Sequence, residues 1–247
     1  MGSSDLLRHA AQSRDAAASR PFGQTTSRRT PGVVGFNSMA NGPPYDWDAA
    51  VAHLRQRDKR LARLMDRCPP DRIALSHTTT VFHALARSIV YQQLSGAAAA
   101  TIFERVRAIY APKKFPTPPE LAATPPARLR AAGLSNAKTA AIIDLANRTA
   151  SGELPTLARI RTLSDDEVVE RLTVVRGIGP WTVHMFLMFR LGRPDVLPVA
   201  DYGVRKGFAL TYRKKELPTV DELTSHAERW RPYRSLASWY MWRALEL

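Results

Sequence analysis

Residues 164–202 read SDDEVVERLTVVRGIGPWTVHMFLMFRLGRPDVLPVADY, and the rest of the chain can be read outward from them. Ser164 and Glu167 form a capping box, in which hydroxyl and carboxylate satisfy backbone N–H groups at a helix start. Val168, Val169, Leu172 and Val175 recur at helical spacing, so that helix buries one face. Gly177 and Gly179 allow a turn that side chains would obstruct. Pro180 suits the first turn of a second helix, where its missing N–H has no partner to lose. Trp181 to Leu191 is apolar nearly all round, which predicts a buried helix. A loop from Gly192 leads to one acidic residue, Asp201. Two glycines at a helix N-terminus expose backbone N–H groups to an anion, and the helix dipole favours it. The plainer alternative is a turn that only reverses the chain.

The octet Val175-Arg176-Gly177-Ile178-Gly179-Pro180-Trp181-Thr182 resembles the hairpin of the helix-hairpin-helix DNA glycosylases. In that family a Gly/Pro-rich loop and a catalytic aspartate follow, and Gly192 to Asp201 (GRPDVLPVAD) supplies both. The set is most similar to the 3-methyladenine DNA glycosylase II branch. The resemblance covers Asp46 to Leu247 and is densest over residues 172–208 and 230–243. It implies an all-α, two-lobed fold with the active-site cleft between a lobe of about 78–190 and one of about 46–77 plus 191–247. There is no room for the N-terminal β-sheet domain of some members, so the compact form is expected.

At 247 residues the chain can bury a substantial core, and 45% hydrophobic with 23% charged residues is ordinary for a globular protein. A net charge of +14 and a pI near 10.6 point to a polyanionic partner. Charge alone does not choose among DNA, RNA and an anionic membrane. No unbroken apolar run of about eighteen residues occurs, so no membrane span is expected. Cys68 is the single cysteine, which excludes an internal disulfide and the four-cysteine iron–sulfur cluster of some relatives. A reducing, cytoplasmic and nucleoid-associated setting fits.

Residues 1–45 are rich in Ser, Gly, Ala and Arg without apolar periodicity, and read as a disordered basic tail. An organelle transit peptide, or an extension ahead of a start at Met39, are the other readings. Asp46 caps a predicted helix to about Met65, with Ala50, Leu54, Leu61 and Leu64 inside. A second runs from Thr80 to Leu94, with Phe82, Leu85, Ala86, Ile89, Val90 and Gln93 on one stripe. Further helices are expected over 97–110, 135–149, 219–230 and 233–247, with a proline-rich connector over 112–126. No alternating run long enough for a strand occurs, so the fold class is all-α.

Base removal develops positive charge on the sugar, and a carboxylate beside the anomeric carbon stabilises it and directs water. By itself an Asp before Tyr-Gly-Val-Arg-Lys is a helix cap; the resemblance assigns Asp201 the catalytic role. Asp195 is the nearest competitor and is expected to be structural. Bifunctional relatives carry a lysine where this chain has Trp181, so a Schiff base with the sugar is not expected and water is the nucleophile. Trp181, Met185, Tyr202 and Trp242 fall where similar enzymes line the base pocket, and an aromatic face attracts a cationic alkylated purine. Arg176, Gly177, Ile178 and Gly179 would bind DNA phosphate. Gln92 and Gln93 end a helix where the superfamily inserts a wedge, with Gln93 preferred. Similar enzymes hold a Na+ or K+ ion at the hairpin, here on the carbonyls of Thr173, Val175 and Ile178. His184 is read as a core histidine.

The resulting expectation is a monomeric, monofunctional DNA glycosylase that takes alkylated purines from double-stranded DNA, with no organic cofactor and no side-chain metal site. A non-enzymatic DNA-binding module and the same fold acting on another lesion stay open.

Overall fold

Short polar side chains that turn back onto the backbone set the helix starts. The Ser164 hydroxyl accepts from the Glu167 N–H while the Glu167 carboxylate accepts from the Ser164 N–H. Thr219 and Glu222 repeat the arrangement. Ser135 caps Asn136–Ala150, Thr80 caps Val81–Tyr91 and Ser95 caps Gly96–Ala108. The structure is a computed structural model that describes residues 42–76 and 80–247. The region read as a basic tail lies almost wholly outside the described residues, as does Met39. Among the described residues every regular element is helical, so the fold is all-α. The chain divides into two units, one of residues up to 75 with 192–247 and one of residues 76–191.

In the first unit the helix predicted from Asp46 to Met65 is two helices, α1 (Trp47–Arg57) and α2 (Lys59–Arg67). Asp58 breaks the run. Its backbone is extended, and its Oδ1 accepts from the N–H groups of Arg60 and Leu61, capping α2. Its Oδ2 accepts from the Tyr212 hydroxyl at 2.5 Å and Trp230 Nε1 at 3.1 Å, and lies 3.0 Å from His226 Nε2. A buried carboxylate without such partners would be costly. Burial alone pushes its pKa up, but the hydrogen bonds from His226, Tyr212, Leu61 and Trp230 together hold it well below the usual carboxylate range.

The same unit contains Tyr202–Tyr212 and Arg234–Arg243, which cross at two glycines. A Cβ on Gly207 would lie 1.8 Å from the Met241 carbonyl oxygen, so only glycine fits at that crossing. A Cβ on Gly203 would lie 2.7 Å from Trp242 Cδ1. These small residues let the backbones approach closely, and through them the second helix delivers Trp242 to the start of the first.

The second unit surrounds Asn136–Ala150, which buries Ala141, Ile142, Leu145 and Ala146. The helix predicted to Leu94 ends at Tyr91, and Gln93 leaves the buried stripe: it is exposed, with φ 56°. A short helix at Leu157–Arg161, capped by Thr156, was not anticipated. Pro180–Phe186 begins the buried helix as expected, but its continuation Leu187–Leu191 widens into a π-helical turn.

Candidate active site

The loop that ends at Asp201 is tied to the start of Arg234–Arg243. The Ser235 hydroxyl donates to the Arg193 carbonyl at 2.7 Å and accepts from the Val196 N–H at 2.9 Å. The Ser235 N–H donates to the Pro194 carbonyl. Asp195 is gripped by Arg234 Nε at 2.7 Å and by Arg231 Nη1 at 2.5 Å, so its carboxylate is taken up in holding the loop. Asp201 then caps Tyr202–Tyr212. Its Oδ1 accepts from the Val204 N–H at 2.7 Å and from the indole N–H of Trp242 at 2.8 Å. The residue is 5% exposed. Tyr202, next in sequence, is 39% exposed and presents an aromatic ring beside it.

Trp242 differs from the expectation of an open stacking face. It is 3% exposed, and its edge is committed to Asp201. Within this unit the structure therefore brings together Asp201, Tyr202 and Trp242, with the tryptophan acting on the carboxylate. Gly203 makes this possible, because any side chain there would meet the indole and Asp201 Oδ1, the latter at 3.1 Å.

The hairpin belongs to the second unit. Gly177 has φ 77°, a conformation that L side chains adopt only under strain, and a Cβ there would touch Ala141. Gly179 is different: its φ is −101° and a Cβ would meet nothing within 4 Å. The turn itself therefore requires glycine only at Gly177. Among the described residues the N–H groups of Gly177 and Gly179 have no acceptor, whereas Ile178 N–H donates to Val175 O at 3.0 Å. The Arg176 N–H donates to Asp144 Oδ2 at 2.8 Å, and Asp144 is itself held by Arg148 Nε at 3.1 Å. The arrangement leaves two N–H donors, two residues apart, open to an anion at a helix start.

Gln92 is not a projecting side chain. Its Nε2 donates to the Gly177 carbonyl at 2.9 Å, so the carboxamide is turned inward and supports the hairpin. Of the two glutamines expected at the wedge, the preferred one, Gln93, is the one presented to solvent. Met185 is buried and Trp181 half-buried in this unit. His184 is half-buried; burial pushes its pKa down and the Asp166 carboxylate partly opposes this. Among the described residues no group of three or more His, Cys, Asp or Glu side chains could hold a metal ion, and no helix is long and apolar enough to cross a membrane.

Sequence reasoning missed Asp144, Lys138 and Gly203. The first two act on residues 32 to 48 positions away. For Gly203 the signal was present, because glycines at 203 and 207 share a helix face.

Residues 86–232 match the model of the HhH-GPD superfamily base excision DNA repair proteins, and the chain belongs to that family. It is 36% identical over 201 residues to DNA-3-methyladenine glycosylase 1 of Schizosaccharomyces pombe, covering 80% of this chain and 87% of that one. DNA-3-methyladenine glycosylase 2 of Escherichia coli is 32% identical over 171 residues, 65% of this chain and 56% of its own length. Among solved structures, the fission-yeast 3-methyladenine DNA glycosylase in complex with abasic DNA superposes with a TM-score of 0.69, covering 81% of this chain and 97% of that one, at 36% identity. A DNA-3-methyladenine glycosidase from Bacillus halodurans gives 0.71 at 32% identity, covering 83% and 92%.

Proposed function

We propose that this chain is a monofunctional DNA glycosylase that hydrolyses the N-glycosidic bond of alkylated purines, of the 3-methyladenine and 7-methylguanine type, in double-stranded DNA. The observation that carries the reading is Asp201: a nearly buried carboxylate at a helix start, fixed through Oδ1 by two N–H donors, beside an exposed tyrosine. Relatives named DNA-3-methyladenine glycosylase, and a neighbour solved with abasic DNA, support it.

The target nucleotide leaves the stack before its glycosidic bond is reached. As the bond between C1′ and the purine nitrogen breaks, the electron pair departs with the base, and a cationic alkylated purine leaves neutral. The Asp201 carboxylate stabilises the positive charge that grows on the sugar and directs a water to C1′. The water oxygen bonds to C1′ and its proton passes to the carboxylate or to solvent. Because Trp181 stands where a Schiff-base lysine would be, no amine of the hairpin attacks the sugar. Gly177, Gly179 and the Arg176 side chain hold a phosphate, a grip without sequence preference. A sodium or potassium ion on the carbonyls of Thr173, Val175 and Ile178 would join hairpin and phosphate, since a carbonyl that already accepts one N–H keeps a second lone pair.

The test is release of free bases from methylated duplex, resolved by chromatography. Wild type releases 3-methyladenine. Asp201→Asn lowers the rate about a hundredfold or more, on the scale of losing a key electrostatic group, while still binding abasic duplex. Near-normal turnover by this variant would move the catalytic role elsewhere.

A further inference from the structure

Lys138 lies in the first turn of Asn136–Ala150, and its half-buried ammonium donates to two carbonyls of a distant segment, Val90 O and Gln92 O, each at 2.7 Å. Val90 is in the last turn of Val81–Tyr91, where carbonyls lack a partner inside the helix and a cation is favoured by the dipole. Gln92 is the cap, and its carbonyl belongs to the peptide plane that leads into Gln93. The next residue, Gln93, has φ 56°, which side chains enter only at a penalty. Ser95 already caps the following helix. The reversal between two helices is thus confined to Gln92, Gln93 and Leu94, with Gln93 exposed. A lysine that merely solubilised its helix would extend into water; this one accepts desolvation, which pushes its pKa down.

The bracket reaches the hairpin as well. Gln92, held by its carbonyl, sends its carboxamide to Gly177 O, and Asp144 from the same helix as Lys138 holds the Arg176 N–H. We infer that Lys138 is a positioning residue for DNA extrusion: its ammonium fixes the reversal that presents Gln93, in register with the Gly177–Gly179 turn. The inference rests on the glycosylase reading. Gln93 fills the gap left by the extruded nucleotide, and Lys138 keeps its backbone in the left-handed form before DNA arrives, so that the duplex does not have to impose it.

The experiment is a double-mutant cycle of Lys138→Met and Gln93→Ala. Its readouts are the single-turnover excision rate on methylated duplex, the fluorescence of 2-aminopurine placed beside the target, affinity for undamaged duplex, and melting temperature. Each single change lowers the excision rate and the 2-aminopurine signal about tenfold, the scale of one charge-assisted hydrogen bond. The double variant is no slower than Gln93→Ala alone, and affinity for undamaged duplex changes less than about threefold, because hairpin contacts to phosphate remain. Where the methionine variant melts early, Lys138→Gln, which loses the charge and is too short to reach both carbonyls, completes the cycle. Losses that multiply in the double variant overturn the inference, as does an unaffected single variant. An equal loss on undamaged duplex also overturns it, since Lys138 would then act through the hairpin or the fold. If wild type releases no base, the glycosylase reading itself has failed, which separates the two outcomes.

Discussion

Replacing Gly203 with alanine adds one methyl group, and the structure dictates where it goes. The new Cβ would lie 2.7 Å from Trp242 Cδ1 and 2.9 Å from its Nε1. Carbon atoms rest at about 3.5 Å or more, so the indole has to retreat by roughly 0.8 Å. Its N–H now donates to Asp201 Oδ1 at 2.8 Å. A retreat of that size takes the pair to about 3.6 Å, beyond hydrogen-bonding distance. A hydrogen bond to a charged group contributes about 1.5–3 kcal/mol. If that support is lost in the transition state, the rate falls roughly 10- to 100-fold at about 1.4 kcal/mol per decade. Single-turnover base release from methylated duplex measures the loss, with thermal melts to show that the fold persists. Because the indole acts through the carboxylate, cationic 3-methyladenine and neutral hypoxanthine should lose rate alike. Excision within twofold of wild type would refute the argument, and a loss confined to cationic bases would return Trp242 to a stacking role.

Three further outcomes follow from the geometry. Gly179→Ala, which has open space and an ordinary φ, should weaken binding to every duplex at unchanged melting temperature, whereas Gly177→Val should also destabilise the fold by about 1–2 kcal/mol through its left-handed backbone. Equilibrium binding and thermal melts on the two variants separate grip from strain. Borohydride should trap no covalent adduct with DNA, and electrophoresis should show strand cleavage only after alkali; a trapped adduct would mean that a lysine outside the hairpin reaches the sugar. Asp58→Asn should cost about 2–3 kcal/mol at neutral pH, the scale of breaking a buried charged network. Because the folded pKa of Asp58 is depressed, its contribution is complete above the ordinary Asp value of about 3.9 and is lost as pH falls through the lower folded value. Urea melts of both proteins from neutral pH downward should therefore converge in acid.

Much of the fold was legible because it is local. The capping boxes at Ser164 and Thr219 and the Gly-Ile-Gly-Pro turn are written within four residues each. The break at Asp58 was not legible: an aspartate among arginines reads as a solvated helix face, and the groups that bury it, Tyr212, His226 and Trp230, lie more than 150 residues later. Gln92 and Gln93 are identical in chemistry, and only tertiary contacts with Lys138 and Gly177 turn one inward and leave the other exposed. Asp201 could be read as either cap or catalyst; the structure makes it a cap, and the cap hydrogen bond orients the carboxylate on which the proposed catalysis depends.

The hairpin also carries a rhythm in its amide protons. From Arg176 to Gly179 they alternate between held and open: Arg176 to Asp144, Gly177 without an acceptor among the described residues, Ile178 to Val175, and Gly179 again without one. Amide exchange tracks such differences, because a proton leaves only from an open group. In the free protein Gly177 and Gly179 should exchange quickly while their two neighbours, one residue away along the same turn, exchange slowly. A phosphate seated on the hairpin would slow the two fast positions and leave the other two unchanged. Arrival of a DNA backbone would thus be recorded at alternate residues, which makes the turn its own reporter of occupancy.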